Sequence, residues 1–136
     1  MPARPADPML VMLEFLGAMR HRDFAALQAL YAPDVVWESV RPHLHCPDRD
    51  AVLATLRGYA DQNLAIEALE LVTTPAGVVL GTRMPALREV AGAPFDGQVF
   101  TLFTIRGSRI VAMRDHFRRD EALRAAGVPD PAAIWR

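Results

Sequence analysis

The chain has 136 residues, of which 51% are hydrophobic, and it carries a formal charge of −1 from 15 basic and 16 acidic residues. This length and this apolar fraction suit one domain with its own hydrophobic core and leave little for a second. Because the charge is nearly balanced, we expect neither a nucleic acid nor a membrane as a partner.

Cys46 is the one cysteine of the sequence, so an intrachain disulfide is excluded. A single thiol gives no indication of an oxidising compartment, and the cytoplasm is the expected location. Residues 1–8 contain three prolines. They are expected to form a flexible lead-in to a single domain over residues 9–136.

Two helices are predicted in the first third of the chain. Apolar residues recur at helical spacing over residues 9–16, and Arg20 and Arg22 supply positive charge that suits a helix C-terminus. This apolar run is well short of a membrane span, so we interpret it as a core-facing helix. Asp23 can cap a second short helix, which Pro33 ends.

A strand and a third helix are predicted next. Residues 34–40 are rich in valine and alternate between two faces, which places Trp37 and Ser39 on the same face. Asp48 is positioned to cap a helix that begins directly after it.

The second half of the chain predicts four strands and a last short helix, which Asp120 is expected to cap. The strands are indicated at residues 64–74, 78–90, 98–106 and 109–117, and the helix at residues 121–126. This order is typical of an α+β fold with a strongly curved, mixed but mostly antiparallel sheet. N-terminal helices would close a pocket over such a sheet and give a cone.

Asp115 is the residue of the last strand that most needs an explanation. Alternation places it on one face with Met113, opposite the face of Ile110, Ala112 and His116. A carboxylate on an otherwise apolar face is costly to bury without a partner. We therefore expect Asp115 either to meet water or to work inside a pocket.

The same alternation places Arg83 on an inward face with Val79 and Gly81, where it could pair with Asp115. Burial raises the pKa of a carboxylate and a neighbouring arginine lowers it, so a group of this kind can serve as a general base. The alternative is a salt bridge that closes the cone and contributes only to stability.

Two short motifs resemble those of a known enzyme family. Segment 113–117, Met-Arg-Asp-His-Phe, resembles the Trp-Arg-Asp-Tyr-Phe motif of the limonene-1,2-epoxide hydrolases, and segment 82–88 resembles the one that carries their catalytic arginine. With the order of elements over residues 9–129, the motifs make the chain similar to the nuclear transport factor 2-like superfamily. Within it, the similarity is to those hydrolases and to the SnoaL-like polyketide cyclases. The resemblance implies a pocket for a hydrophobic small molecule and a homodimer that pairs through the outer sheet face, with Ile110, Ala112 and His116 as its contacts.

The resemblance also implies roles for single residues. Asp115 matches the base that activates water, and Arg83 matches the arginine that orients the carboxylates. Pro85 stands where the hydrolases have the aspartate that protonates the epoxide oxygen, and proline cannot donate a proton. Trp37 and Ser39 stand where the family has a tyrosine and an asparagine.

Two histidines, Cys46 and Asp48 lie close together in residues 43–48, as they could in a metal site. Zinc sites usually recruit ligands from two separated segments, so we predict no metal and no cofactor. A neutral His45 could instead supply the acid that Pro85 cannot. The residues predicted to contact the substrate are Trp37, Ser39, His45, Phe100 and Met113.

The sequence therefore favours an enzyme, either an epoxide hydrolase or an isomerase or cyclase. Asp115 would be its general base, and Arg83 would stabilise negative charge. The alternative is a non-catalytic ligand-binding or scaffold domain of the same fold, which the proline at the acid position favours.

Overall fold

The computed structural model describes residues 7–40, 44–62, 66–84, 89–90, 93–94 and 97–129. Its helices are α1 (Pro8–His21), α2 (Phe24–Leu30), α3 (Arg49–Asp61) and α4 (Arg119–Ala125). Its strands are β1 (Tyr31–Glu38), β2 (His45–Cys46), β3 (Glu67–Thr74), β4 (Gly77–Arg83), β5 (Glu89–Val90), β6 (Ala93–Pro94), β7 (Gln98–Arg106) and β8 (Arg109–His116). The predicted α+β class is confirmed.

Six strands form one curved, unclosed sheet in the order β2-β1-β8-β7-β4-β3. Within it β1 and β8 are parallel, and the other neighbouring pairs are antiparallel. β5 and β6 form a separate two-stranded sheet. α1, α2 and α3 bury their apolar side chains against the concave face of the large sheet, which confirms the predicted cone.

Aspartates begin the first three helices. Oδ1 of Asp7, Asp23 and Asp48 accepts a hydrogen bond from a backbone N–H two or three residues later, at 2.9, 3.1 and 2.9 Å. These bonds satisfy N–H groups that a first helical turn leaves without a partner. The predicted caps Asp23 and Asp48 are confirmed. None of the described helices has the length and apolarity needed to cross a membrane.

The predicted cap of the last helix is wrong. α4 begins at Arg119 with Arg118 as its N-cap, and the Arg118 side chain makes no capping hydrogen bond. Asp120 lies inside the first turn, where its carboxylate accepts from Arg118 Nε and Arg124 Nη1 at 3.1 Å each. A carboxylate in the first turn is favoured by the helix dipole, so Asp120 contributes there without being the cap.

Apolar residues are buried on both faces of the sheet. On the concave face Phe15 of α1 packs against Phe103, with 5.1 Å between the ring centroids. On the convex face α4 covers β4 and β7 through Val79, Phe100, Ala122, Leu123 and Ala126. Central strands covered on both faces carry apolar residues on both faces.

β8 contains a bulge at Val111, which reverses part of the predicted alternation. Thr104 pairs with Ala112 and Ile105 pairs with Ile110, so Val111 is an extra residue without a partner in register. Ile110 is turned into the concave core, where it is 0% exposed. The prediction that Ile110 lies on the outer face is wrong for this reason.

β4 is turned the opposite way from the prediction. Leu80 belongs to the concave core, whereas Val79 packs under α4 on the convex face. Arg83 has the same parity as Val79, pairs in register with Gln98 and is exposed. The prediction that Val79, Gly81 and Arg83 face inward is wrong. A strand that is apolar on both faces does not indicate from its alternation which set lies inside.

Candidate active site

A cavity of about 720 Å³ lies between the helices and the concave face of the sheet. Helix residues such as Leu16 and Leu56 and strand residues such as Leu80 and Phe103 line it. Asp115 is the one carboxylate among the described lining residues. A cavity of this size with mostly apolar walls suits a hydrophobic small molecule.

Asp115 lies near the end of β8, and its hydrogen-bond partner is on β7. The register pairs Asp115 with Thr101, and Thr101 Oγ1 donates to Asp115 Oδ1 at 2.7 Å. Thr101 is itself buried, so this bond fixes one oxygen of the carboxylate. The Asp115 side chain keeps part of its surface towards the cavity.

Burial raises the pKa of Asp115 from 3.8 to about 6. The donor groups of Thr101, Trp37 and Ser39 lie close enough to the carboxylate to lower its pKa, because they stabilise the ionised form, but burial outweighs them. No salt bridge joins Asp115 to any of the described cations. The carboxylate therefore changes its protonation close to neutral pH, which is the range that a general base requires.

Trp37 places an indole N–H beside this carboxylate. The side chain is 8% exposed, and the register puts Trp37 next to Met113 on the neighbouring strand β8. Its Nε1 has no well-aligned hydrogen-bond partner among the described residues, although it is close enough to Asp115 to lower the pKa of that group. A buried donor in this condition can bond to the oxygen of a ligand that enters the cavity.

The structure brings four of the predicted site residues together, since Asp115, Trp37, Ser39 and Met113 all line the cavity. Tyr31 helps to fix Met113, because its hydroxyl donates to Met113 Sδ at 3.7 Å. Burial raises the pKa of Tyr31 well above its usual value, so its hydroxyl stays protonated.

Three predicted site residues lie elsewhere. Arg83 is exposed and belongs to the convex side of β4. Phe100 packs against Leu123 under α4, also on the convex face. His45 is exposed on the edge strand β2, where it pairs with Glu38. The structure brings none of the three to Asp115, so their predicted positions in the site are wrong.

In the described part of segment 43–48, two of the candidate metal ligands have other contacts. Cys46 is buried with its Sγ 3.4 Å from Thr55 Oγ1, and Asp48 is occupied in capping α3. The structure's described residues hold no group of three His, Cys, Asp or Glu side chains that could bind a metal ion. His43 and Pro85 lie outside the described residues.

Sequence reasoning missed Thr101, a hydrogen-bond partner of Asp115. Thr101 stands between Phe100 and Leu102 in the most strand-like run of the chain. A hydroxyl flanked by large apolar residues on a buried strand needs a hydrogen-bond partner, and that need was the available signal. The partner itself could be named only from the register of β7 and β8.

Comparison with known proteins assigns this fold and cavity to a family. The sequence profile of the SnoaL-like domain matches residues 12–113, which is most of the chain. The chain belongs to the SnoaL-like family. The matched segment ends just before Asp115, so family membership does not by itself assign a role to that carboxylate.

Solved structures share the fold of this SnoaL-like protein. A candidate polyketide cyclase from Sinorhizobium meliloti has a TM-score of 0.63 and 19% identity, covering 82% of this chain and 100% of that chain. IdmH, a candidate polyketide cyclase from Streptomyces antibioticus, has a TM-score of 0.62 and 20% identity over 89% and 98% of the two chains. Bal32a, from a soil-derived mobile gene cassette, has a TM-score of 0.65 and 17% identity over 88% and 95%. At these identities the similarity shows the fold alone.

Proposed function

We propose that this SnoaL-like protein is an enzyme in which Asp115 removes a proton from a carbon atom next to a carbonyl group of a hydrophobic substrate. The observation that carries the proposal is the state of Asp115, a carboxylate held by neutral donors in an apolar cavity with its pKa raised to about 6. A general base works best when its pKa lies near the operating pH.

The reaction also requires a hydrogen-bond donor for the carbonyl oxygen, and Trp37 beside Asp115 can supply one. Removal of the proton leaves negative charge on the carbonyl oxygen, and a hydrogen-bond donor at that oxygen lowers the barrier. Trp37 lines the cavity, and its indole N–H is buried with no well-aligned partner among the described residues. Ser39 also lines the cavity and donates to Asp115. In the proposal Thr101 and Ser39 orient the base, and Trp37 stabilises the enolate.

The proposed reaction type is therefore isomerisation or cyclisation. Two solved structures of the same fold are candidate polyketide cyclases, which agrees with this reaction type. Epoxide hydrolysis, the other reaction implied by the sequence, receives less support. The arginine expected to orient its carboxylates, Arg83, is exposed and does not line the cavity.

The test is exchange of the carbon-bound protons of 2-tetralone for deuterium in heavy water, followed by proton NMR. We expect exchange above the buffer rate with the wild type and none above it with Asp115→Asn. Asp34→Asn is the matched control, because Asp34 is an exposed carboxylate on β1 and the chemical change is the same. Equal exchange by the wild type and Asp115→Asn would refute the proposal.

The non-catalytic alternative predicts a different pattern in the same experiment. The wild type would bind 2-tetralone, seen as quenching of tryptophan fluorescence, but would not speed exchange. Hydrolysis of limonene 1,2-epoxide by the wild type, lost in Asp115→Asn, would instead favour the hydrolase reaction. Asp34→Asn should behave as the wild type in each assay.

We also propose that the protein forms a homodimer through the convex face of the sheet. Ala112 pairs with Thr104 on that face, away from α4, and both side chains are partly exposed. A C₂ interface uses the same patch on both copies. Sedimentation equilibrium should give twice the monomer mass, and Ala112→Arg should return it to the monomer mass. A wild type that sediments as a monomer at high concentration contradicts this proposal.

A further inference from the structure

The helical wall of the cavity carries two arginines. Leu13, Leu16, Gly17 and Arg20 of α1 are spaced as neighbours on one helix face, and all four line the cavity. Arg22, directly after α1, lines it as well. The apolar stripe of α1 therefore ends in positive charge at the helix C-terminus. The helix dipole favours cations at this end, but it does not require their side chains to line a cavity.

The backbone of Arg22 is a second observation that points to a role for its side chain. Arg22 caps α1 in the left-handed conformation, with φ 52° and ψ 39°. It is the one non-glycine residue with positive φ in the described part of the chain. Glycine adopts this conformation without the steric cost that a side chain adds, and it is the usual residue here. A strained backbone conformation beside a cavity supports the hypothesis that the side chain has a function there.

The charges of the cavity are divided between its two walls. Among the described lining residues the basic side chains, Arg20 and Arg22, belong to the helical wall, and the one carboxylate, Asp115, belongs to the sheet. No salt bridge joins either arginine to Asp115. An anion inside the cavity is thus attracted to the helical wall and repelled by ionised Asp115.

We propose that Arg20 and Arg22 bind a carboxylate group of the substrate, so that the substrate is an otherwise apolar organic acid that spans the cavity. The guanidinium groups hold its carboxylate through charge-assisted hydrogen bonds. The apolar body fills the space between the two walls, and the carbon that loses a proton faces Asp115. The assignment of the reacting end rests on the proposed function, whereas the assignment of the anionic end does not.

The test measures binding of decanoate and of 1-decanol, its neutral counterpart, by calorimetry at pH 8 and low salt. We expect the wild type to bind decanoate at least about tenfold more tightly than 1-decanol, as charge-assisted hydrogen bonds predict. The double variant Arg20→Gln, Arg22→Gln should bind both with the affinity of the neutral ligand. Equal affinity of the wild type for both ligands, or unchanged decanoate binding by the double variant, would overturn the inference.

Three further variants separate charge from folding. Arg22→Gly relieves the left-handed backbone, so it should melt at a higher temperature yet lose roughly fivefold in decanoate affinity. Arg22→Lys keeps the charge and should retain most of the affinity. Arg109→Gln removes an exposed arginine at the turn between β7 and β8, which does not line the cavity, and should bind decanoate as the wild type does.

Asp115→Asn distinguishes failure of this inference from failure of the proposed function. It should bind decanoate at least as tightly as the wild type, because a carboxylate that repels the ligand is removed. Loss of decanoate selectivity in the arginine variants, with proton exchange retained in Asp115→Asn, would overturn the proposed base alone. The reverse pattern would overturn the carboxylate site alone.

Discussion

Two carboxylates on opposite faces of one sheet are held in different ways. Glu70 of β3 forms a salt bridge with Arg119 Nε at 2.7 Å on the convex face, where the two side chains are 14% and 22% exposed. Asp115 on the concave face is held by the Thr101 hydroxyl, and no described cation pairs with it. A carboxylate paired with a cation contributes to structure. A carboxylate held only by neutral donors in an apolar wall keeps its ability to take up a proton near neutral pH.

The largest expected effect comes from removing the unpaired carboxylate. Asp115→Asn keeps the shape of the side chain but loses the base, so we expect proton exchange of 2-tetralone to fall by about 10² to 10⁴-fold. Circular dichroism should show an unchanged fold. If the variant folds and retains more than a tenth of the activity, Asp115 is not the general base.

Ionisation of Asp115 at rising pH should increase the activity and decrease the stability of the protein. Activity should rise with pH with a midpoint of about 6, because the base must be ionised. The pKa is raised in the folded state, so the stabilising contribution of Asp115 is complete below its unfolded pKa and is lost as pH rises through about 6. At pH 8 Asp115→Asn should unfold with a free energy about 1–3 kcal/mol higher than the wild type.

The measurement is urea denaturation of the two proteins at pH 4 and pH 8. Most of the difference in the free energy of unfolding should disappear at pH 4, where the wild-type carboxyl is protonated in the folded state and close to half protonated in the unfolded state. A difference that is equal at the two pH values would place its cause outside the ionisation of Asp115.

Breaking the paired carboxylate should affect stability and leave activity unchanged. Glu70→Gln removes the charge that pairs with the partly buried Arg119, and we expect a loss of about 1–3 kcal/mol in the free energy of unfolding. Proton exchange per folded molecule should equal that of the wild type. A loss of proton exchange without a loss of stability would show that the Glu70–Arg119 pair affects the site on the opposite face of the sheet.

Removing the hydrogen bond from Thr101 should raise the pKa of Asp115 further above its usual value. Thr101→Val keeps the volume of the side chain and removes the donor at 2.7 Å. Because that donor lowers the pKa of Asp115, the midpoint of the activity profile should move upward by about one pH unit. Thr101→Ser, which keeps a hydroxyl, should restore the midpoint towards the wild-type value.

The smallest effect is expected for an exposed ion pair. Arg114 Nε lies 3.7 Å from Glu38 Oε2, and the two side chains are 65% and 56% exposed. Arg114→Gln should change the free energy of unfolding by less than about 0.5 kcal/mol, since water screens such a pair. It should leave proton exchange unchanged. A larger loss would show that this exposed ion pair stabilises the fold about as much as the partly buried pair of Glu70 and Arg119 does.

Local signals were sufficient for much of the fold. The caps Asp23 and Asp48 and the strand of residues 98–106 lie where the sequence places them, because capping and strong alternation depend on adjacent residues. Trp37 and Ser39 share a wall of the cavity as predicted from their spacing on the first strand. The helix at the end of the chain was found, although its first residue was misplaced.

Features that depend on distant segments were not found from the sequence. α4 covers the convex face, so β4 is apolar on both sides and its alternation did not show that Arg83 points outward. The orientation of Ile110 depends on a bulge in β8, which is defined by pairing with β7. Both errors concern which face a strand presents, and that choice is made by tertiary packing.

The bulge at Val111 has a consequence for the chemistry of the site as well as for the core. The hairpin closes with Arg106 opposite Arg109, and a regular count from that pair would set Phe100 opposite Asp115. The extra residue advances the count by one, so the neighbour of the carboxylate is a hydroxyl instead of a phenyl ring. Val111 is thus a spacer that sets which residues of β7 and β8 lie opposite each other. The proton affinity of Asp115 depends on how many residues separate it from the turn, as well as on which side chains surround it.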